Sequence, residues 1–149
     1  MTASPLQEGE FVWCSFPEHE APFQPGPLHI AYVIAVSGGM TATGGQRFSA
    51  LVAYTTSQPR RSPTAPLGVF SFDRTEAARF GQSRAFVMDL RRLAAVPVTT
   101  RWFPRLEQSG RGIVGHMPKS EQRRFLRVAE DLLTRRPESI ERLGPLWPR

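Results

Sequence analysis

Fourteen prolines and twelve glycines are spread along 149 residues, and the longest stretch free of both runs from residue 119 to 136. Proline removes a backbone donor and fixes one dihedral, and glycine weakens any regular element it interrupts. A chain cut this often folds into short strands joined by turns, with room for one long helix. The longest uninterrupted stretch has that helix's pattern. Phe125, Val128, Ala129, Leu132 and Leu133 recur at helical spacing, Ser120 is a candidate N-cap, and Pro137 stops the run.

The strands precede it. Residues 10–16 put Phe11, Trp13 and Ser15 on one face and Val12, Cys14 and Phe16 on the other. Residues 28–37 are apolar enough to be buried on both faces. Residues 48–56, 68–72 and 84–90 read as further strands, 93–100 as a bent continuation or sixth strand, and 111–116 as a short last one. Residues 73–80 have the composition of one or two helical turns, with Asp73 to cap them and Gly81 to end them. After the long helix, Ser139 could cap one more turn over 139–143, and the tail that carries Trp147 reads as irregular. Five to seven short strands before a helix indicate a mainly β protein, a small, partly open antiparallel barrel about 8–117 with a C-terminal helix about 119–136. No strand alternates with a long helix, which argues against a dinucleotide-binding α/β fold.

A chain of this length makes one domain, and no domain boundary or internal repeat is evident. No apolar run approaches the roughly 20 residues needed to cross a bilayer. Residues 1–10 have neither a basic n-region nor an apolar core, so no secretory signal is expected. The single cysteine, Cys14, leaves no internal disulfide, and a reducing cytoplasm is the expected compartment.

Charge is unevenly placed. The net charge is +6, and eighteen of the nineteen bases are arginine, Lys119 being the exception. Residues 1–59 hold one base against four acids, whereas residues 60–149 hold eighteen bases against nine acids. GC-rich coding accounts for arginine in place of lysine, but less well for the excess of positive charge. A basic surface favours a polyanion such as nucleic acid, or an acidic protein. The sequence has no P-loop, G-x-G-x-x-G, H-E-x-x-H or C-x-x-C motif. His19, His29 and His116 are far apart and lack metal-ligand spacing, so neither a metal nor a cofactor is expected.

Three segments stand out together: residues 9–17 followed by Pro25-Gly26-Pro27 and an apolar strand; residues 52–58, which close on Thr56-Ser57-Gln58; and residues 86–93, with Asp89 before Arg91-Arg92. In this order and spacing they resemble the MazF/PemK toxins of bacterial toxin–antitoxin systems. Residues 112–116 and the final helix also fit, so the resemblance covers about 8–135. It implies an SH3-like small antiparallel barrel of the MazF/PemK/CcdB type, usually a homodimer. The implied activity is metal-independent cleavage of single-stranded RNA, and the implied partner is an acidic antitoxin.

Cutting RNA without a metal uses the 2′-hydroxyl as nucleophile. The protein must align it, take its proton, protonate the leaving oxygen and stabilise the phosphate charge. Thr56 lies where the family has its catalytic threonine, and it and Ser57 could hold a phosphate oxygen or satisfy their own turn. Asp89 could act as base, or could pair with Arg91 or Arg92. Gln58, Arg60, Arg61, Arg84, Arg91 and Arg92 are candidate RNA contacts, the arginines through phosphate. The family's Arg-Pro pair is missing, and His29 stands nearest its arginine position. A histidine there could transfer protons near neutral pH or simply pack in the barrel. His19 is another candidate RNA contact, although Glu18 and Glu20 would repel phosphate and raise its pKa. Trp13 is expected in the barrel core. Trp102 and Phe103 are expected over the helix or a dimer seam, with base stacking as an alternative.

The cleavage reading requires the hydroxyls of Thr56 and Ser57 to face the same crevice as Asp89. The alternative is a catalytically degenerate barrel that binds nucleic acid or protein, including a gyrase-poison-like toxin with a protein target. An unrelated metabolic enzyme has no signature here.

Overall fold

A computed structural model describes residues 4–57 and 67–147. The strands are β1 (Glu10–Ser15), β2 (Leu28–Met40), β3 (Gln46–Thr56), β4 (Val69–Phe72), β5 (Phe86–Pro97), β6 (Ile113–His116) and β7 (Glu141–Leu143). Two helices join them, α1 (Arg74–Arg79) and α2 (Lys119–Arg135). The seven strands form one sheet in the order β4-β5-β3-β2-β1-β6, antiparallel throughout except that β7 pairs parallel to β5. The mainly β architecture with a C-terminal helix is therefore the one the punctuation of the sequence demands. The edge strands β4 and β6 are not paired with each other. The turn after α1 lies between them: the His116 amide donates to the Phe80 carbonyl at 3.1 Å, and Gln82 Nε2 donates to the Val114 carbonyl at 3.4 Å.

Each face of the sheet buries its own cluster. Phe11, Tyr32, Ile34, Met88, Leu90 and Leu93 pack against Phe125, Ala129 and Leu132 of α2, with Ala77 and Phe80 of α1 beside them. Val12, Cys14, Phe16, Ala31, Val33, Val52, Ala94 and Val96 face the other way, onto Trp102 and Phe103. The alternation of β1 thus sorts Phe11 from Val12, Cys14 and Phe16 as period 2 requires. Trp102 and Phe103 are buried on the face away from α2, which corrects the expectation that they cover the helix or offer a stacking surface.

Local signals set the helix ends unevenly. Asp73 caps α1 in a capping box: its carboxylate accepts from the Glu76 amide at 2.8 Å, and Glu76 accepts from the Asp73 amide at 3.1 Å. Ser120 is not the cap of α2. Pro118 takes that place, because its carbonyl accepts the first helical bond from the Gln122 amide at 2.9 Å, and Ser120 lies within the first turn. The region after α2 also differs from the sequence expectation. Residues Pro137–Ser139 form a 3-10 turn, and the tail returns as β7. It docks on the edge of β5 that β4 leaves open: β4 pairs with Phe86 to Asp89, and β7 with Arg92 to Ala94. A three-residue strand has too little periodicity to show in sequence. The expected fifth and sixth strands are one element, β5, interrupted by a register shift. Ala53 pairs with Leu93, and the next residue, Tyr54, pairs with Asp89. Leu90, Arg91 and Arg92 are the extra residues of that bulge.

Candidate functional site

At one end of the sheet, the start of β2, the end of β3 and residues 82–86 surround an open crevice of about 500 Å³. His29, Thr56, Ser57 and Arg84 line it together with Trp13, Leu28, Tyr54, Gln82 and Phe86. Four candidate residues, drawn from three distant segments, therefore meet in one place. The buried Thr55 hydroxyl donates to the Ile30 carbonyl, which ties the end of β3 to β2. Thr56 is one residue on, so its side chain leaves the opposite side of the strand.

Asp89 does not line this crevice. It pairs with Tyr54 across β3 and β5, two residues along β5 from the Val87–Thr56 pair, and so shares a sheet face with Thr56. Its carboxylate is engaged by Arg91, accepting from the backbone amide at 2.9 Å, from Nε at 3.1 Å and from Nη2 at 3.2 Å. Thr56 and Asp89 are thus on one face but not in one cleft, and the ion pair is the arrangement observed for Asp89 and Arg91.

A second crevice of about 300 Å³ adjoins the first, with His29 and Tyr54 common to both walls. Glu18, His19, Glu20, Phe16 and Arg92 complete it. Arg92 lies over the Tyr54 ring and donates from Nε to Glu141 Oε1 at 3.2 Å. The exposed His19 Nδ1 meets the other oxygen of Glu141. That contact raises the His19 pKa, chiefly through the hydrogen bond and charge of Glu141. The His29 pKa is lowered, first by burial and then by the Arg92 charge, against a smaller upward pull from Glu18. Both effects favour the neutral imidazole, the form that accepts a proton.

The candidates Gln58, Arg60 and Arg61 lie outside the described residues. Gln82, Tyr54 and Glu141 have no role legible in the sequence, and the expectation for Trp13 is the barrel core. Trp13 is instead half-buried on the crevice wall, with the Arg105 guanidinium 4.6 Å from its ring centroid. The only sequence signal for Gln82 is its place in a polar turn beside Arg84. Among the described residues, no group of three or more His, Cys, Asp or Glu side chains gathers in a metal-binding cluster, and no helix is long and apolar enough to cross a membrane. No protein-family model matches the chain, and no curated protein matches it significantly.

Proposed function

We propose that this chain is a metal-independent endoribonuclease that cuts single-stranded RNA, built on an SH3-like small barrel of the MazF/PemK type. The observation that carries the reading is the crevice in which His29, Thr56, Ser57 and Arg84 meet. Thr56 and Ser57 supply hydroxyls for a phosphate oxygen, and Arg84 supplies the charge that the transition state gains. Neutral His29 takes the proton from the 2′-hydroxyl as that oxygen attacks phosphorus. The bond to the 5′-oxygen breaks, the leaving oxygen takes a proton from water, and the products carry a 2′,3′-cyclic phosphate and a free 5′-hydroxyl. Asp89 positions Arg91 in this scheme and transfers no proton. The reading includes a cytoplasmic homodimer neutralised by an acidic antitoxin, whose charge complements a chain of +6.

The test is incubation of the purified protein with single-stranded RNAs of varied sequence in EDTA. Cleavage to cyclic-phosphate ends is expected, with a loss of about 100-fold or more for Thr56→Ala and for His29→Ala. Intact RNA at high protein concentration overturns the proposal.

One observation favours a second reading, a module that binds without cutting. Of the two candidate proton-transfer groups, Asp89 is held by Arg91 outside the crevice and His29 alone lines it. Expression in a bacterium separates the readings. Growth arrest with intact total RNA indicates a protein target, and growth without arrest indicates a non-toxic module.

A further inference from the structure

The exposed face of α2 carries three cations in a row that make no ion pair among the described residues. Lys119, Arg123 and Arg127 are all exposed, and four-residue spacing sets them one above another about 6 Å apart along the helix axis. Neighbouring cations on the same helix are paired: Arg124 with Glu121 at 3.4 Å and Arg135 with Asp131 at 3.0 Å. Among the described residues no carboxylate lies within ion-pair distance of Lys119, Arg123 or Arg127. Asp131, four residues beyond Arg127, ends the row and pairs onward with Arg135 at 3.0 Å.

This arrangement works against the helix that carries it. Like charges four residues apart repel, and cations in the first turns oppose the helix dipole. A sequence chosen for helix stability alone would put acids there. Local rules broken without a local gain mark functional positions. The helix N-terminus also adds its own positive potential to the row. Upstream of the row, the His116 amide and the Val114 carbonyl of β6 hydrogen-bond the turn at Phe80 and Gln82, and Gln82 lines the crevice.

We propose that Lys119, Arg123 and Arg127 form a track for the phosphate backbone of a single-stranded nucleic acid. The track stands on the helix charges and does not depend on cleavage in the crevice. It takes the strand without reading bases, since an evenly spaced row of cations meets only an evenly charged backbone.

The test uses the full chain and uncleavable 2′-O-methyl RNAs of 4 and 20 nucleotides, with affinity measured by fluorescence anisotropy across a salt series. The wild type is expected to bind the 20-mer more tightly than the 4-mer. In Lys119→Ala/Arg123→Ala/Arg127→Ala the 20-mer affinity should fall at least about tenfold, with the slope of log K against log salt shallower by about 2. The 4-mer, whose three phosphates reach the length of the row, should lose affinity as well, and circular dichroism should confirm the fold. Lys119→Arg/Arg123→Lys/Arg127→Lys should keep wild-type binding. The track is overturned by unchanged 20-mer affinity or an unchanged salt slope in the alanine variant, by weakened binding in the charge-conserving variant, or by tighter binding of polyglutamate than of the 20-mer. Arg84→Ala separates this proposal from the crevice. If the crevice takes no RNA, that variant keeps full 20-mer affinity while the helix variant still loses it.

Discussion

The Arg92 guanidinium stands 4.0 Å from the centroid of the Tyr54 ring, a ring that lines both crevices. Arg92 exists as an extra residue in β5, in the bulge that lets Ala53 pair with Leu93 and Tyr54 with Asp89. Its Nε is held by Glu141 of β7, so the C-terminal strand steadies a residue beside His29. Arg92→Ala should destabilise the fold by about 1–2 kcal/mol, combining a partly desolvated cation–π contact with a half-exposed ion pair. Arg92→Lys should recover only part, since an ammonium cannot lie flat on the ring. Urea unfolding of the three proteins checks this.

The two histidines flanking that stack should titrate in opposite directions. His29 should titrate below the ordinary value of about 6.5 and His19 above it. Glu141→Gln should bring His19 down, and Arg92→Ala should let His29 rise. The stability contributions follow in sign. The His19 contribution is complete below about pH 6.5 and is lost as pH rises through its raised folded value. For His29, whose folded value is lowered, stability is complete above about pH 6.5 and falls as pH drops toward and through that value. Side-chain NMR titration reads the first point. Denaturation midpoints of wild type, His19→Gln and His29→Gln from pH 5 to 8 read the second.

Gly115 and Gly39 should respond oppositely to alanine. At Gly115 a Cβ would fall 1.9 Å from the Phe80 carbonyl oxygen, so the turn after α1 would have to leave β6. Gly115→Ala should cost at least about 2 kcal/mol, near the upper range for overpacking. At Gly39 nothing stands within 4 Å of an added Cβ, and Gly39→Ala should be neutral or stabilise by up to about 1 kcal/mol. Thermal unfolding of both variants decides it.

Phe125 joins α2 to the sheet, fully buried and edge-on to Phe70 at 4.8 Å between ring centroids. Phe125→Ala should lose about 3–5 kcal/mol. Lys119→Glu, in contrast, should stabilise α2 by about 0.3–1 kcal/mol, by placing an acid at the positive end of the helix. Denaturant midpoints measure both changes.

Where interactions are local, the chain declares its elements. Asp73 and Glu76 make a capping box three residues apart, and the spacing of Phe125, Ala129 and Leu132 forms a face of α2. The alternation in β1 sends Phe11 and Val12 to different clusters. Of the site, the sequence candidates His29, Thr56, Ser57 and Arg84 meet in one crevice. For Asp89 the sequence offered both a base and an ion pair with its arginine neighbours, and the pair with Arg91 is what forms. The Glu141 partner of Arg92 and His19 did not show, because it sits on a strand of three residues that docks beside a bulge.

The sequence by itself determined a mainly β chain with one C-terminal helix, because prolines, glycines and hydrophobic period act within a few residues of where they stand. Only the tertiary structure decided which side chains share a cleft. Strand register sets that outcome, and it is settled by contacts between residues far apart in the chain: Tyr54 opposite Asp89, Arg92 against Glu141, and Phe80 bonded to His116.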